Sequence, residues 1–215
     1  MRYTLAIFDL DGTLVDSFPW FLRHVNDVAD RYSFRRIAPD EMEPLRHAGP
    51  REILRRLNVP IWKLPAIARH MRRLKAEHAG DIALFSGVDA MLGALRDDGV
   101  KLALVTSDSE ANARRQLGEA NAALFSEFAC GAALFGKAAK FRRVVRRAGV
   151  DPARVIAIGD EVRDIEAARA AGIACAAVTW GYAAPEALRA HRPDLVFERM
   201  ADMGAKLVPG FDARA

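Results

Sequence analysis

Five short runs along the chain are almost wholly apolar: TLAIFD (4–9), KLALVT (101–106), RVIAIG (154–159), IACAAVT (173–179) and DLVF (194–197). Their apolar residues do not alternate with polar ones. Strands of this kind are covered on both faces, as in a parallel sheet. FSEFAC (125–130) reads as a weaker sixth strand. Between the runs, apolar positions fall at helical spacing. In GVDAMLGALRDDG, Val88, Met91, Leu92 and Leu95 share one face, and Gly99 follows as a C-terminal stop. In FRRVVRRAG, Phe141, Val144, Val145 and Ala148 share a face, with arginines between them. DIEAARAAG is a short alanine-rich helix ending at Gly172. This alternation from residue 85 onward predicts an α/β fold with a Rossmann-like parallel sheet.

Residues 17–84 break the rhythm. No strand pattern appears there. Phe21, Val25, Val28 and Tyr32 keep helical spacing, as do Ile53, Leu54 and Leu57, and then Ile67, Met71 and Leu74. Prolines 39, 44, 50, 60 and 65 punctuate these segments. The pattern predicts a core domain of residues 1–16 and 85–215, with a helical domain of residues 17–84 inserted after the first strand.

The bulk numbers narrow the class. A chain of 215 residues, 51% hydrophobic and 28% charged, suits one globular domain with an insertion. No apolar stretch approaches the roughly 18 residues that span a bilayer. Asp9 and Asp11 interrupt the N-terminal apolar run, which argues against a signal peptide. Cys130 and Cys175 do not suggest a disulfide framework. A cytoplasmic protein is expected, monomer or homodimer, with no membrane partner. The net charge of +4 is uneven: residues 17–84 hold 13 Lys/Arg against 8 Asp/Glu, a net of +5, which leaves −1 elsewhere. Such a field attracts anionic ligands. The basic residues follow a helical surface without any nucleic-acid motif, so nucleic acid is not an expected partner.

The chemistry lies at the strand ends. Ligands of open parallel sheets bind beyond the carboxyl ends of the strands. Those ends carry Asp9 and Asp11 in DLDGT, Thr106 and Ser107 in VTSDS, and Asp160, Glu161 and Asp164 in GDEVRD; Lys137 stands in FGKAAK. Carboxylates packed this closely repel one another, and burial makes the repulsion worse. They call for a cation, for chemistry, or for both.

In order and spacing, DLDGT, VTS, Lys137 and GDEVRD resemble the four motifs of the haloacid dehalogenase superfamily, and together they span nearly the whole chain. The insert after the first motif resembles the C1-type cap of phosphoglycolate phosphatases and β-phosphoglucomutases. The resemblance implies that Asp9 is the nucleophile and forms an aspartyl-phosphate. It makes Asp11 the general acid and then the base, with a pKa expected to be raised by its neighbours. Mg2+ would be held by Asp9, the backbone carbonyl of Asp11 and Asp160, with Asp164 orienting its waters or Lys137. Gly12, Thr106 and the Ser107 amide would meet the phosphate, and Lys137 would offset its charge. Lys140, one turn after Lys137, is the rival lysine, and FGK fits the family pattern better. Asp108 is expected to cap the helix after VTS.

In the insert, RHAGPRE (46–52) holds Gly49 and Pro50 in a turn like the one by which such caps select substrate. Arg46 and Arg51 would then pair with a second anionic group on a small phosphate ester. The plainer alternative is an exposed turn between helices. The leading expectation is a Mg2+-dependent phosphatase. A phosphomutase on the same scaffold is the alternative, followed by a non-catalytic phosphate-binding protein. Dehalogenases lack an acid at the position of Asp11. A phosphonatase would need a Schiff-base lysine, and Lys63 and Lys75 of the insert sit in no such motif.

Overall fold

The computed structural model describes residues 3–131 and 136–207. Six strands form one parallel sheet: β1 (Leu5–Phe8), β2 (Lys101–Val105), β3 (Phe125–Ala129), β4 (Val155–Gly159), β5 (Ala174–Val178) and β6 (Leu195–Phe197). Their order is β3-β2-β1-β4-β5-β6. Each strand lies inside the apolar run that predicts it. The helices are α1 (Phe18–Tyr32), α2 (Met42–Arg46), α3 (Pro50–Arg56), α4 (Leu64–Glu77), α5 (Val88–Asp97), α6 (Glu110–Leu124), α7 (Lys137–Ala148), α8 (Val162–Ala171), α9 (Pro185–Ala190) and α10 (Asp202–Leu207).

The lack of alternation has its reason in the packing. Along β1, Ala6 and Phe8 join one buried cluster with Leu92 and Leu95 of α5, Leu117 of α6 and Met203 of α10. Leu5 and Ile7 join the other, with Phe141 and Val144 of α7 and Ile165 and Ala168 of α8. Both faces are therefore dry. Each large side chain such as Phe8 or Leu92, fully buried, contributes about 1.5–3 kcal/mol.

Between β1 and α5 the chain is helical, and a third, smaller cluster of Val25, Ile37, Leu45 and Leu57 holds those helices together. Two linkers connect this segment to the sheet side by side. Asp16 N–H donates to the Ala83 carbonyl at 2.9 Å, and Phe85 N–H to the Leu14 carbonyl at 3.0 Å. The ends of β1, β2 and β4 adjoin, since β1 pairs with both of the others: Phe8 lies beside Leu104 and Ile158. The chain departs from β1 in both directions, and the crevice this creates lies above those three ends.

Candidate active site

Asp9 follows β1 directly, and its N–H donates to the Ile158 carbonyl of β4 at 2.9 Å. Its carboxylate is buried and takes the Lys137 ammonium at 2.8 Å. Lys137, the first residue of α7, also donates to Asp164 Oδ1 at 2.5 Å. Phe135 of the FGK sequence lies outside the described residues. Lys140 turns elsewhere, to the Cys130 carbonyl at 2.5 Å.

Asp160 follows β4 and is fully buried. It accepts from Thr13 Oγ1 at 2.8 Å and from the Tyr182 N–H at 2.8 Å. Asp164 stands in the first turn of α8, where it also accepts from the Glu161 N–H at 3.1 Å. Ligand oxygens of Asp9, Asp160 and Asp164 lie within 4.8 Å of one another. Backbone geometry makes this approach possible. Gly12 has φ +71°, and a Cβ there would overlap the Asp160 carboxylate and the Tyr182 ring. A Cβ on Gly181 would strike Asp160 as well.

The electrostatics follow from burial. Burial pushes the Asp9 carboxyl up to about 6, against the pull of Lys137. Asp160 rises well above its usual range through burial and then the charges of Glu161 and Asp9. Lys137 is buried too, yet Asp164 and Asp9 keep it firmly protonated. Three buried carboxylates share few cations here. A hard divalent ion supplies the missing charge and prefers this all-oxygen donor set, so the residues fit Mg2+.

Asp11 behaves differently from the expectation. Burial pushes its carboxyl up, but the charge and hydrogen bond of Lys75 outweigh it, and the net shift is downward. The reason is tertiary: Lys75 of α4 reaches from the helical segment to bond Asp11 Oδ1, and its ammonium also donates to Asp108 at 2.9 Å. The expectation for Asp108 is corrected as well. Ser109 is the N-cap of α6, its hydroxyl accepting from the Asn112 N–H at 3.2 Å, while buried Asp108 serves as counter-ion to Lys75.

Thr106 is fully buried, and its hydroxyl oxygen accepts from the Asp108 N–H at 3.1 Å. The Ser107 carbonyl accepts from Arg72 of α4 at 3.1 Å. Ser107 also lines a cavity of about 860 Å3 between the sheet crevice and the helical segment. Its lining includes the polar side chains of Asp11, Lys75, Glu161, Arg163 and Tyr182 and the apolar ones of Leu45, Ile53, Leu57 and Met71. Gly49 and Pro50 also line it, and so does Arg46, but Arg46 is engaged. Its guanidinium donates to the Tyr182 carbonyl at 2.9 Å, the Gly181 carbonyl at 3.1 Å and Glu43 at 3.1 Å. Arg51 is exposed and stands outside this lining. The structure thus brings Asp9, Asp160, Asp164 and Lys137 together, with Asp11, Thr106 and Ser107 on the same crevice. Arg46 shares the cavity lining with Asp11, while Arg51 lies outside that lining.

Three residues escaped sequence reasoning. Lys75 was visible only as a lysine without a motif. Arg163 lies inside GDEVRD, and Glu161, Asp164 and Asp9 sustain its charge against burial. Tyr182 follows β5; its hydroxyl is 3.1 Å from Ser17 Oγ and its ring packs against Phe18 and Phe21. The strand-end rule, applied to β5 as it was to β1 and β4, would have found the Gly181–Tyr182 pair.

Comparison with known proteins agrees with this architecture. A family model described as haloacid dehalogenase-like hydrolase matches residues 6–178. A phosphoglycolate phosphatase of Synechococcus elongatus is 33% identical over 198 residues, covering 92% of this chain and 93% of its own. A phosphoglycolate phosphatase of Xanthomonas campestris is 32% identical over 197 residues, covering 85% and 86%. Among solved structures, a haloacid dehalogenase-like family hydrolase from Streptococcus pneumoniae superposes with a TM-score of 0.77 at 22% identity, covering 95% and 98%. That last likeness concerns the fold.

Proposed function

The chain belongs to the haloacid dehalogenase-like hydrolases, in their phosphoglycolate-phosphatase-like subgroup, and is a phosphatase; from this membership we propose that it hydrolyses a small phosphorylated metabolite through an aspartyl-phosphate on Asp9, with Mg2+. The observation that carries the reading is the buried cluster of Asp9, Asp160 and Asp164 with Lys137 between two of its members. Asp9, Asp160 and the Asp11 carbonyl would hold the ion, with Asp164 beside them. When bound, Mg2+ offsets the negative charge of the phosphoryl group and of the acids around it.

The Asp9 carboxylate attacks phosphorus, and the bond to the ester oxygen breaks. Asp11, in the fraction that carries a proton against the pull of Lys75, gives that oxygen its proton. A water then attacks phosphorus, Asp11 takes the water's proton, and the acyl-phosphate bond breaks with its electron pair returning to Asp9. Lys137 and the Thr106 and Ser107 groups bind the phosphoryl oxygens. We place residues 17–84 as the cap over this site, with 1–16 and 85–215 as the core. The name of the relatives makes phosphoglycolate the first substrate to test. It carries a carboxylate beside its phosphate, and the net +5 of residues 17–84 favours a ligand with two anionic groups.

The test is phosphate release from p-nitrophenyl phosphate and from phosphoglycolate. Turnover of at least one with Mg2+, abolished by excess EDTA and restored by Mg2+, is the expected result. Full activity in EDTA would remove the metal from the account. Inertness toward a broad panel of phosphate monoesters would remove this reading of the substrate.

A further inference from the structure

The cavity of about 860 Å3 joins two unlike sets of residues. The sheet side contributes polar groups, Asp11, Ser107 and Glu161 among them. Residues 17–84 contribute apolar side chains and four cations, Arg46, Arg69, Arg72 and Lys75, but no carboxylate, amide, hydroxyl or imidazole among the described residues. Three of these cations are engaged: Arg46 on the Gly181 and Tyr182 carbonyls, Arg72 on the Ser107 carbonyl, Lys75 on Asp11 and Asp108. The remaining polar side-chain atom of this set, the Trp20 indole nitrogen, is buried. A sugar or other polyol seated here would lose water without gaining partners, at a cost for each unpaired hydroxyl.

The apolar side chains of this lining are not all part of a core. Leu54, Leu64 and Ile67 of α3 and α4 belong to none of the three buried clusters, stay half-buried and line the cavity. Ile61 is on the same lining and 72% exposed, so the apolar surface reaches solvent; Trp62, next in the chain, is 80% exposed. Contiguous apolar surface left uncovered marks a binding site, and a mainly apolar cavity with a few polar groups suits a small ligand. Phosphoglycolate has about nine non-hydrogen atoms, and at the ~30 Å3 that a water takes up in the liquid it would fill about a third of this space. Resting on the phosphatase reading above, we propose that the substrate is a phosphate monoester of an apolar alcohol, alkyl or aryl, whose carbon body lies against Leu54, Leu64 and Ile67. The cavity itself names this occupant, because the space that holds those side chains also holds Asp11 and Ser107.

The test is a homologous series, ethyl phosphate to octyl phosphate, with Mg2+ and below the micelle threshold. Each added methylene that leaves water should raise kcat/KM about two- to fourfold, so octyl phosphate should exceed ethyl phosphate by roughly 10²-fold or more. It should exceed phosphoglycolate as well. Leu54→Asn and Ile67→Asn should each cut the octyl-to-ethyl ratio by about tenfold. A ratio taken within one variant is unaffected by a loss of folded protein. Binding is read separately, by calorimetry on Asp9→Asn with Mg2+, where octyl phosphate should bind tighter than ethyl phosphate by a similar factor. A flat series overturns the proposal, and so does phosphoglycolate as the better substrate. An octyl-to-ethyl ratio that both variants leave unchanged overturns it too, since the carbon body would then lie elsewhere. If Asp9→Asn binds by chain length while the wild type hydrolyses no ester of the series, the proposal stands and the failure lies in the proposed reaction.

Discussion

Asp9 is held between opposing forces, and they can be read as a pH dependence. Its carboxyl titrates near 3.8 when unfolded and at about 6 when folded without metal. The folded state therefore binds the extra proton between those values. Stability from this group is intact below pH 4, falls as pH rises to about 6, and stays lost above it. Two units correspond to about 3 kcal/mol at most. Asparagine does not titrate. In EDTA, Asp9→Asn should therefore gain stability relative to wild type between pH 4 and pH 7, by roughly 1–3 kcal/mol in urea unfolding. Parallel pH curves for the two proteins would mean that Asp9 is not buried as described. The same variant should form no phosphoprotein.

Among the elements, α2 and the 180–183 loop form one unit through Arg46, whose guanidinium binds two carbonyls there. That loop also supplies the Tyr182 N–H to Asp160. Arg46→Ala should thus loosen the acid cluster rather than one end of the substrate. Similar kcat losses on phosphoglycolate and p-nitrophenyl phosphate, of a few-fold to tenfold, are expected; a KM rise on phosphoglycolate alone would assign the arginine to the substrate instead. This contact illustrates what a sequence withholds. The strands were legible because β1, β2, β4 and β5 are dry on both faces, which leaves an unmistakable apolar run. Asp9, Thr106 and Asp160 were legible because each ends such a run. Lys137 was legible through its neighbours in FGK. The choice of Asp108 as a cap failed because Ser109, one position on, satisfies the same helix end, and a distant lysine claims the carboxylate. Lys75 and Tyr182 reach the site across 64 and 165 positions, to Asp11 and Ser17, and no local pattern encodes such contacts.

At the scale of the whole molecule, charge is segregated along the chain: a net of +5 in residues 17–84 and −1 in the remainder. Much of the positive side is internally paired. Arg35 with Glu41, Arg55 and Arg56 with Glu52, and Arg46 with Glu43 are surface pairs. Exposed pairs of this kind contribute little to stability, about 0–1 kcal/mol each. Pairing leaves the excess intact, because a pair adds nothing to the net. A phosphate dianion approaching the cavity therefore meets a positive far field before it meets the buried acids. Fields from exposed charges are screened beyond about 8–10 Å at physiological salt, whereas the buried contacts of Lys137 are screened much less. The two contributions separate with ionic strength. From about 20 to 200 mM NaCl, kcat/KM for a phosphate ester should fall several-fold while kcat changes by less than about twofold. Substituting Glu for Arg55 and Arg73, exposed residues outside the cavity lining, should flatten that salt dependence and lower kcat/KM at low salt. If salt leaves kcat/KM unchanged, the basic surface has no part in capturing substrate, and capture rests on the groups in the crevice alone.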